Sequence, residues 1–365
     1  MIVRVGGLFS GIGSHHSACV RANIPGIEFQ VKWQCDTDPY KSKAYDLMHG
    51  QTPNLGDVKE VHDLDGEREV DLMFWTPSCV DISLSGKLAG NTKGSGTSSS
   101  LAFEVPRILH NTIEKPKVLI MEEVPMMVSK RFKHNFDGLL RELSRIGYRH
   151  AWKIVNATDF GVGQNRERLI CVSMLNKDPP PFPFPLGHFK PLRDYLDRHD
   201  TVSEDYYLSD SQLKSFHSRA NNAKLVGKKF RFRLHYPPYD APAWTIDTKM
   251  RGRWNTYMVT SKTAYDTWLS DNRQAVVPGS CRIYNDPDSE VEQPIGHVPS
   301  YRGFSPVREL TTRECFRLMG YGEDEIDRID PYFSRTRKKM LAGDSVVVDV
   351  YIGVLNAVYG EGWIE

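Results

Sequence analysis

The chain has 365 residues, 40% of them hydrophobic and 25% charged, the make-up of a globular protein with room for two domains or one domain carrying an insertion. Its formal net charge of +1 excludes a globally basic or acidic partner-binding surface, so any such surface must be local. The six cysteines are scattered without C-x-x-C or other metal-ligand spacing, and no apolar run approaches the roughly 18 residues of a membrane span, which predicts a cytosolic chain with free thiols and no metal.

Met1 to Leu8 reads as a short apolar strand rather than a signal peptide. Phe9-Ser10-Gly11-Ile12-Gly13 then forms a glycine turn into a helix from about Ser14 to Ala22. Phe29 to Cys35 is a second strand ending at Asp36. Asp38 and Pro39 follow as N-cap and first residue of a helix to about Met48. Gly56-Asp57-Val58 punctuates a third unit, and Val70 to Trp75 is a fourth strand. Leu101 to Ile113 has helical spacing, with Pro106 confined to the first turns or producing a kink. Lys117 to Val124 is a fifth strand, and Phe136 to Ile146 an amphipathic helix stopped by Gly147. Ala151 to Val155 and Leu169 to Met174 are two more strands. This alternation predicts an α/β fold, a doubly wound Rossmann-like sheet with right-handed crossovers.

The texture changes at Pro179, where PPPFPFP reads as a stiff boundary. From about Lys190 to Tyr301 the chain is aromatic, polar and irregular. Helical periodicity returns at Arg308 to Met319, with Thr311 and Glu314 placed for a capping box. Gly343 to Tyr359 is an apolar C-terminal helix that must pack on the first domain. The expected organisation is a catalytic domain over 1–185, a smaller, irregular inserted domain over 186–307, and a return segment over 308–365.

Several residues carry chemistry in this frame. Pro77 ends strand pairing after Trp75, so Cys79 stands just beyond the carboxyl end of a strand, where open α/β sheets hold ligands. The polar stretch from Ser83 to Ser100 reads as a mobile loop behind it. A thiol so placed is either a nucleophile or a small buried hydrophobe. The glycine turn departs from the dinucleotide fingerprint, because His16 stands where a third glycine belongs. Asp36, at the end of the next strand, is suited to ribose hydroxyls, so the pair points to a nucleoside-containing cofactor. Glu122 and Glu123 lie in an apolar strand, and alternation allows only one of them to face the strand-end cleft. Gln164, Arg166 and Arg168 share one face and can hold a carboxylate, a phosphate or a base edge.

These motifs, in this order, resemble the cytosine-C5 DNA methyltransferases: GLFSGIG, Asp36, GDV at 56–58, PSC followed by SLSG, MEEV, QNRER, RELTTRE and GDSVV. The resemblance covers about Met1 to Met174 and Arg308 to Ala357. It implies S-adenosylmethionine as cofactor, lined by Phe9, Gly11 and Gly13, with Asp36 on the ribose, Asp57 on the adenine amine and Leu101 closing the pocket. Thr37, Val58, Asp344 and Ser345 complete that cofactor set. It implies Cys79 as nucleophile, Glu122 as the acid on N3 and the exocyclic amine of cytosine, Arg168 on O2, and Arg166 supporting the catalytic loop. Ser83, Ser85 and Lys87 belong to the loop that closes on DNA, and Gln164 joins the DNA-binding set. Three motifs depart from the usual family pattern, at Ser78-Cys79-Val80, Glu123 and Asp344, the last two replacing Asn. These changes bear on the choice of donor and of cytosine form.

In that family the segment before RELT reads DNA sequence. Here residues 223–253 carry eight basic side chains against two acidic ones, interleaved with Phe230, Phe232, Tyr236, Tyr239 and Trp244. Arg231, Arg233, Lys249 and Arg251 are the candidate phosphate contacts. The expected partner is double-stranded DNA, met by a monomer in prokaryotic cytoplasm or a eukaryotic nucleus. The same chemistry on structured RNA, transfer of a modified alkyl group, or a DNA-binding homologue without turnover stay open as alternatives.

Overall fold

The structure is a computed structural model and describes residues 1–79, 81–82, 94–181, 188–225, 232–248, 256–272, 281–284 and 304–360. In chain order the first part runs β1 (Ile2–Leu8), α1 (Ser14–Arg21), β2 (Glu28–Cys35), α2 (Pro39–His49), β3 (Leu72–Trp75), α3 (Glu104–Asn111), β4 (Val118–Glu123), α4 (Lys133–Ile146), β5 (Tyr148–Asn156), β6 (Gln164–Asn165) and β7 (Glu167–Leu175). The helix ends follow local chemistry. Asp38 caps α2 by accepting from the backbone N–H of Tyr40 (2.8 Å) and Lys41 (3.3 Å), with Pro39 in the first turn. Gly147, at φ 114°, ends α4.

The main sheet has strand order β2-β1-β3-β4-β7-β5. The first four strands are parallel, and β7 runs antiparallel to both neighbours. The expected wound sheet is therefore mixed at one edge, because β5 returns directly through the short β6 into β7 rather than through a crossover helix. The third unit contributes no strand, only a bridge between Gln34 and Asn54, so the fourth to sixth expected strands rank one lower, and the short β6 restores the count at β7. Alternation along the strands feeds two cores. Val3, Val5, Leu72, Phe74, Val118 and Ile120 face the side covered by α1 and the C-terminal helix. Leu8, Met73, Trp75, Leu119 and Met121 face α3 and α4.

The second part is more ordered than its sequence texture predicts. It comprises β8 (Tyr207–Ser209), α5 (Asp210–Leu225), β9 (Phe232–His235), β10 (Ala243–Trp244), β11 (Tyr257–Val259), α6 (Lys262–Asp271), β12 (Cys281–Tyr284) and β13 (Phe304–Glu309). Five of these strands form a sheet of order β12-β9-β11-β13-β8 with its own core around Leu234, Tyr257, Tyr265 and Val307. Its strands are three to six residues long, too short for alternation to stand out. β13 also crosses the expected boundary at 307, drawing Arg308 and Glu309 into this sheet.

The chain ends with α7 (Thr312–Leu318), α8 (Glu323–Ile329), α9 (Arg335–Gly343) and α10 (Val348–Tyr359). The capping box of Thr311 and Glu314 is present at the start of α7. Arg335–Tyr359 is, against expectation, long and apolar enough by composition to cross a membrane. It is broken between α9 and α10, and α10 is mostly buried in the core against Phe74 and α1.

Candidate active site

Strand order reverses about β1, whose neighbours β2 and β3 lead away in opposite directions, and a cavity of about 340 Å³ opens at the carboxyl ends of these strands. Its wall comes from the turn after β1 (Phe9, Gly11), the end of β2 (Asp36, Thr37), the turn after β3 (Thr76 to Cys79), the end of β4 (Glu122, Glu123), Arg166 and Arg168, and Gly343 to Val346. Positions scattered over more than 300 residues meet here because parallel strands all end on one side.

The turn after β1 is tied down on both flanks. Phe9 adopts φ 57° and its carbonyl accepts from the Thr76 hydroxyl (2.7 Å). The N–H of Gly11 donates to Asp36 Oδ2 (2.9 Å), and that of Asp38 to Asp36 Oδ1 (2.9 Å). Each carboxylate oxygen thus keeps acceptor capacity for a ligand. Burial raises the Asp36 pKa, against the pull of Lys41. Gly13 does not line the cavity. Its φ of 86° and the His49 ring, 2.5 Å from where a Cβ would stand, explain the glycine by packing. Asp57 and Val58 also lie outside the wall: Asp57 pairs with Lys59 (3.4 Å), and Val58 is buried against α3. Leu101 is in the wall as expected.

Cys79 is half-buried, and its turn is stapled by Ser99, whose hydroxyl donates to the Ser78 carbonyl (2.6 Å) while its N–H donates to Asp81 (3.1 Å). Burial, then the nearby Glu123, pushes the thiol up to about 12. Glu122 Oε1 meets Arg168 Nε at 2.9 Å. Burial raises its pKa while Arg168 opposes the shift. Glu123 also lines the cavity, contrary to strict alternation. It is the last residue of β4, so its side chain is free to fold back and accept from the N–H of Val124 (2.6 Å). Among the described residues it forms no ion pair, and burial drives its pKa well above the usual carboxylate range.

One expected DNA contact changes role. Gln164 is fully buried and its amide is spent inside the protein, donating to the Leu318 carbonyl (2.7 Å) and accepting from the Ile246 N–H (2.9 Å). It joins the two parts of the chain and is not a DNA-facing side chain. Arg166 donates to the carbonyls of Ile246 and of Gly343 (3.2 Å) and Ser345 (2.8 Å), so it fixes the wall around the last motif. Gly343 is required there, since a Cβ would stand 2.3 Å from the Asp247 backbone. Ser83, Ser85, Lys87, Arg231, Lys249 and Arg251 lie outside the described residues, and Arg233 is placed only as a backbone position in β9.

Sequence reasoning missed Lys41. It sits in the first turn of α2, pairs with Asp344 at the end of α9, and lines the cavity. A cation beside the positive end of a helix is unfavourable without a partner, which is the signal that it had one. The cavity volume, the glycine turn and the free acceptor capacity of Asp36 fit a nucleoside-containing donor of the size of S-adenosylmethionine.

The profile of the C-5 cytosine-specific DNA methylase family matches residues 3–359. The chain is 31% identical over 314 residues to the type II methyltransferase M2.ScrFI of Lactococcus lactis subsp. cremoris, covering 85% of this chain and 72% of that protein. It is 28% identical over 343 residues to the type II methyltransferase M.HaeII of Haemophilus aegyptius, covering 94% and 88%. Among solved structures, the Entamoeba histolytica methyltransferase EhMeth superposes with a TM-score of 0.66 at 16% identity over 100% of both chains, and the S. pombe Dnmt2 methyltransferase with 0.64 at 18% over 97% of both. The strand-end cavity and the sequence comparisons lead to one conclusion: this chain belongs to the C-5 cytosine-specific DNA methylase family, whose members methylate DNA with S-adenosylmethionine.

Proposed function

We propose that Cys79, Glu122 and Arg168 form the reaction centre of this cytosine-C5 DNA methyltransferase and that Asp36 and the turn from Phe9 to Gly11 hold its donor. The observation that carries the assignment is the convergence of Cys79 with the Glu122–Arg168 pair on one cavity wall. C5 of cytosine is a weak nucleophile. Cys79 loses its thiol proton to water, and addition of the resulting thiolate to C6 makes C5 enamine-like. Glu122, held towards its protonated form by burial, donates to N3 and stabilises the charge that develops there. Arg168 keeps Glu122 oriented and offers its remaining N–H groups to O2 of the base. S-adenosylmethionine, when bound, supplies the electrophilic methyl group carried on its sulfonium. Loss of the C5 proton to a base and departure of Cys79 then restore the aromatic ring. The target base must leave the helix stack to reach the cavity.

We assign double-stranded DNA as the substrate, with the basic side chains of the stretch 223–253 meeting its phosphates. Trapping on duplex DNA containing 5-fluorocytosine tests the mechanism. The fluorine blocks loss at C5, so wild-type enzyme with donor yields a denaturation-resistant complex and Cys79→Ala yields none. Transfer of labelled methyl to tRNA in preference to duplex DNA would overturn the substrate assignment.

A further inference from the structure

The Lys41–Asp344 pair has no place in the reaction just described, yet both residues line the donor cavity. The pair spans two elements far apart in the chain, the first turn of α2 and the C-cap of α9. The Lys41 side chain is 25% exposed and that of Asp344 37%, so a ligand in the cavity can reach both. Burial lowers the Lys41 pKa, but Asp344, Asp36 and Asp38 more than compensate, so the amine carries its charge. The charge of Asp344 is felt at Cys79, Glu122 and Arg166, while Lys41 is felt at Asp36. The pair therefore bridges the wall between the ribose acid and the reaction centre.

The sulfur of the donor carries three branches: the adenosine, the methyl group and a side arm ending in an α-ammonium and an α-carboxylate. The first belongs to Asp36 and its turn, and the second to the base beside Cys79. Between those two places the wall offers Lys41 and Asp344 as a facing cation and anion. We propose that Lys41 and Asp344 form a paired subsite for the zwitterionic amino-acid end of the methyl donor, Lys41 taking the carboxylate and Asp344 the ammonium. Each side chain holds the other until the ligand's opposite charges replace the contact. The exchange leaves every charge partnered, so it avoids the penalty of stranding an ion in a partly buried wall. It also accounts for an acid at a position where the family usually carries Asn: the added charge comes with its own counter-ion.

This inference rests on the donor assignment above, and the test separates the two. Calorimetry on the full-length protein uses S-adenosylhomocysteine, which bears both charges, S-adenosyl-3-thiopropylamine, which bears only the ammonium, and 5′-methylthioadenosine, which bears neither. Lys41→Gln is expected to weaken S-adenosylhomocysteine roughly 10- to 100-fold, the factor for losing a hydrogen bond to a charged group. It should leave the other two ligands within about twofold of wild type. Asp344→Asn should weaken both ammonium-bearing ligands and spare 5′-methylthioadenosine. Should Lys41→Gln weaken all three ligands alike, weaken the thiopropylamine as much as the homocysteine, or change none, the pair is only a clamp between α2 and α9 and the proposal is overturned. A wild-type protein that binds none of the three would overturn the donor assignment together with the subsite.

Discussion

Buried charge occurs in two regions of this molecule, and they are built on opposite terms. Where the second sheet meets the terminal helices, the Arg308 guanidinium donates to both oxygens of Glu314 (2.8 and 2.9 Å) and, through Nε, to His199 Nδ1 (3.0 Å). Glu314 also accepts from the N–H groups of Thr311 (2.7 Å) and Asp197 (2.8 Å). His199 Nε2–H donates to the Tyr239 hydroxyl (3.1 Å), which in turn donates to the Val259 carbonyl (2.6 Å). Burial, aided by Arg308, lowers the His199 pKa to about 3, in keeping with a neutral ring. Each of these side chains has its partners inside the protein. At the end of β4 the terms reverse. Glu122 pairs with one arginine, Glu123 forms no ion pair among the described residues, and Cys79 is a half-buried thiol held protonated. A closed network specifies a fold, whereas an open one leaves donors and acceptors for a substrate to complete.

The comparison can be broken most sharply at the proposed nucleophile. Cys79→Ala should lower methyl transfer on the order of 10⁴-fold or more, the scale of losing a covalent catalyst, while DNA affinity stays close to wild type. Turnover above a few per cent would remove Cys79 from the chemistry.

Next in size is the junction. Arg308→Met should cost about 3–5 kcal/mol of stability, because it strands Glu314 in a dry site, and leave transfer per folded molecule unchanged. Arg168→Met sharpens the contrast: it should impair transfer but cost far less stability, since Glu122 can discharge by taking a proton. Urea unfolding and single-turnover transfer on both variants check this, and equal stability losses would erase the distinction.

A smaller effect belongs to the donor. Asp36→Ala should weaken S-adenosylmethionine binding by roughly 1.5–3 kcal/mol, the value of hydrogen bonds to a charged group. Unchanged affinity by calorimetry would refute the ribose assignment.

The smallest is a pH effect at Glu123. Its folded pKa lies well above that of an unfolded carboxyl, so above the ordinary carboxylate range the native state holds a proton that the unfolded chain has lost. Glu123 thus contributes stability that is full at acid pH and is lost as pH rises towards its folded pKa, by at most about 1.4 kcal/mol per pH unit. Glu123→Gln should gain on wild type as pH rises from about 5 to 8. Parallel melting curves over that range would mean that Glu123 is ionised in the fold.

The frame of the catalytic part was legible in the sequence because its signals are local. Asp38-Pro39 starts α2, Gly147 stops α4, and the Thr311–Glu314 box opens α7, each through bonds made within one turn of helix. The second sheet was not legible, since strands as short as Tyr257–Val259 gain their stability from neighbours about 50 residues away. Gln164 misled for a related reason. Its type and spacing suit a base edge, but the Leu318 carbonyl and the Ile246 N–H that claim it come from distant segments.

By itself, then, the sequence determined the order of the motifs, the caps and apolar runs of the main sheet, and the residue types that the proposed chemistry needs at Cys79, Glu122, Arg168 and Asp36. Only the tertiary structure decided which charges are partnered. It showed that Glu123 bends into the cavity, that Asp344 answers to Lys41, and that Arg166 clamps the last motif. The physical reason is one of range. A cap or an alternating strand is set by residues a few positions apart, whereas the burial and partner of a charge are set by whatever the chain brings back across hundreds of residues.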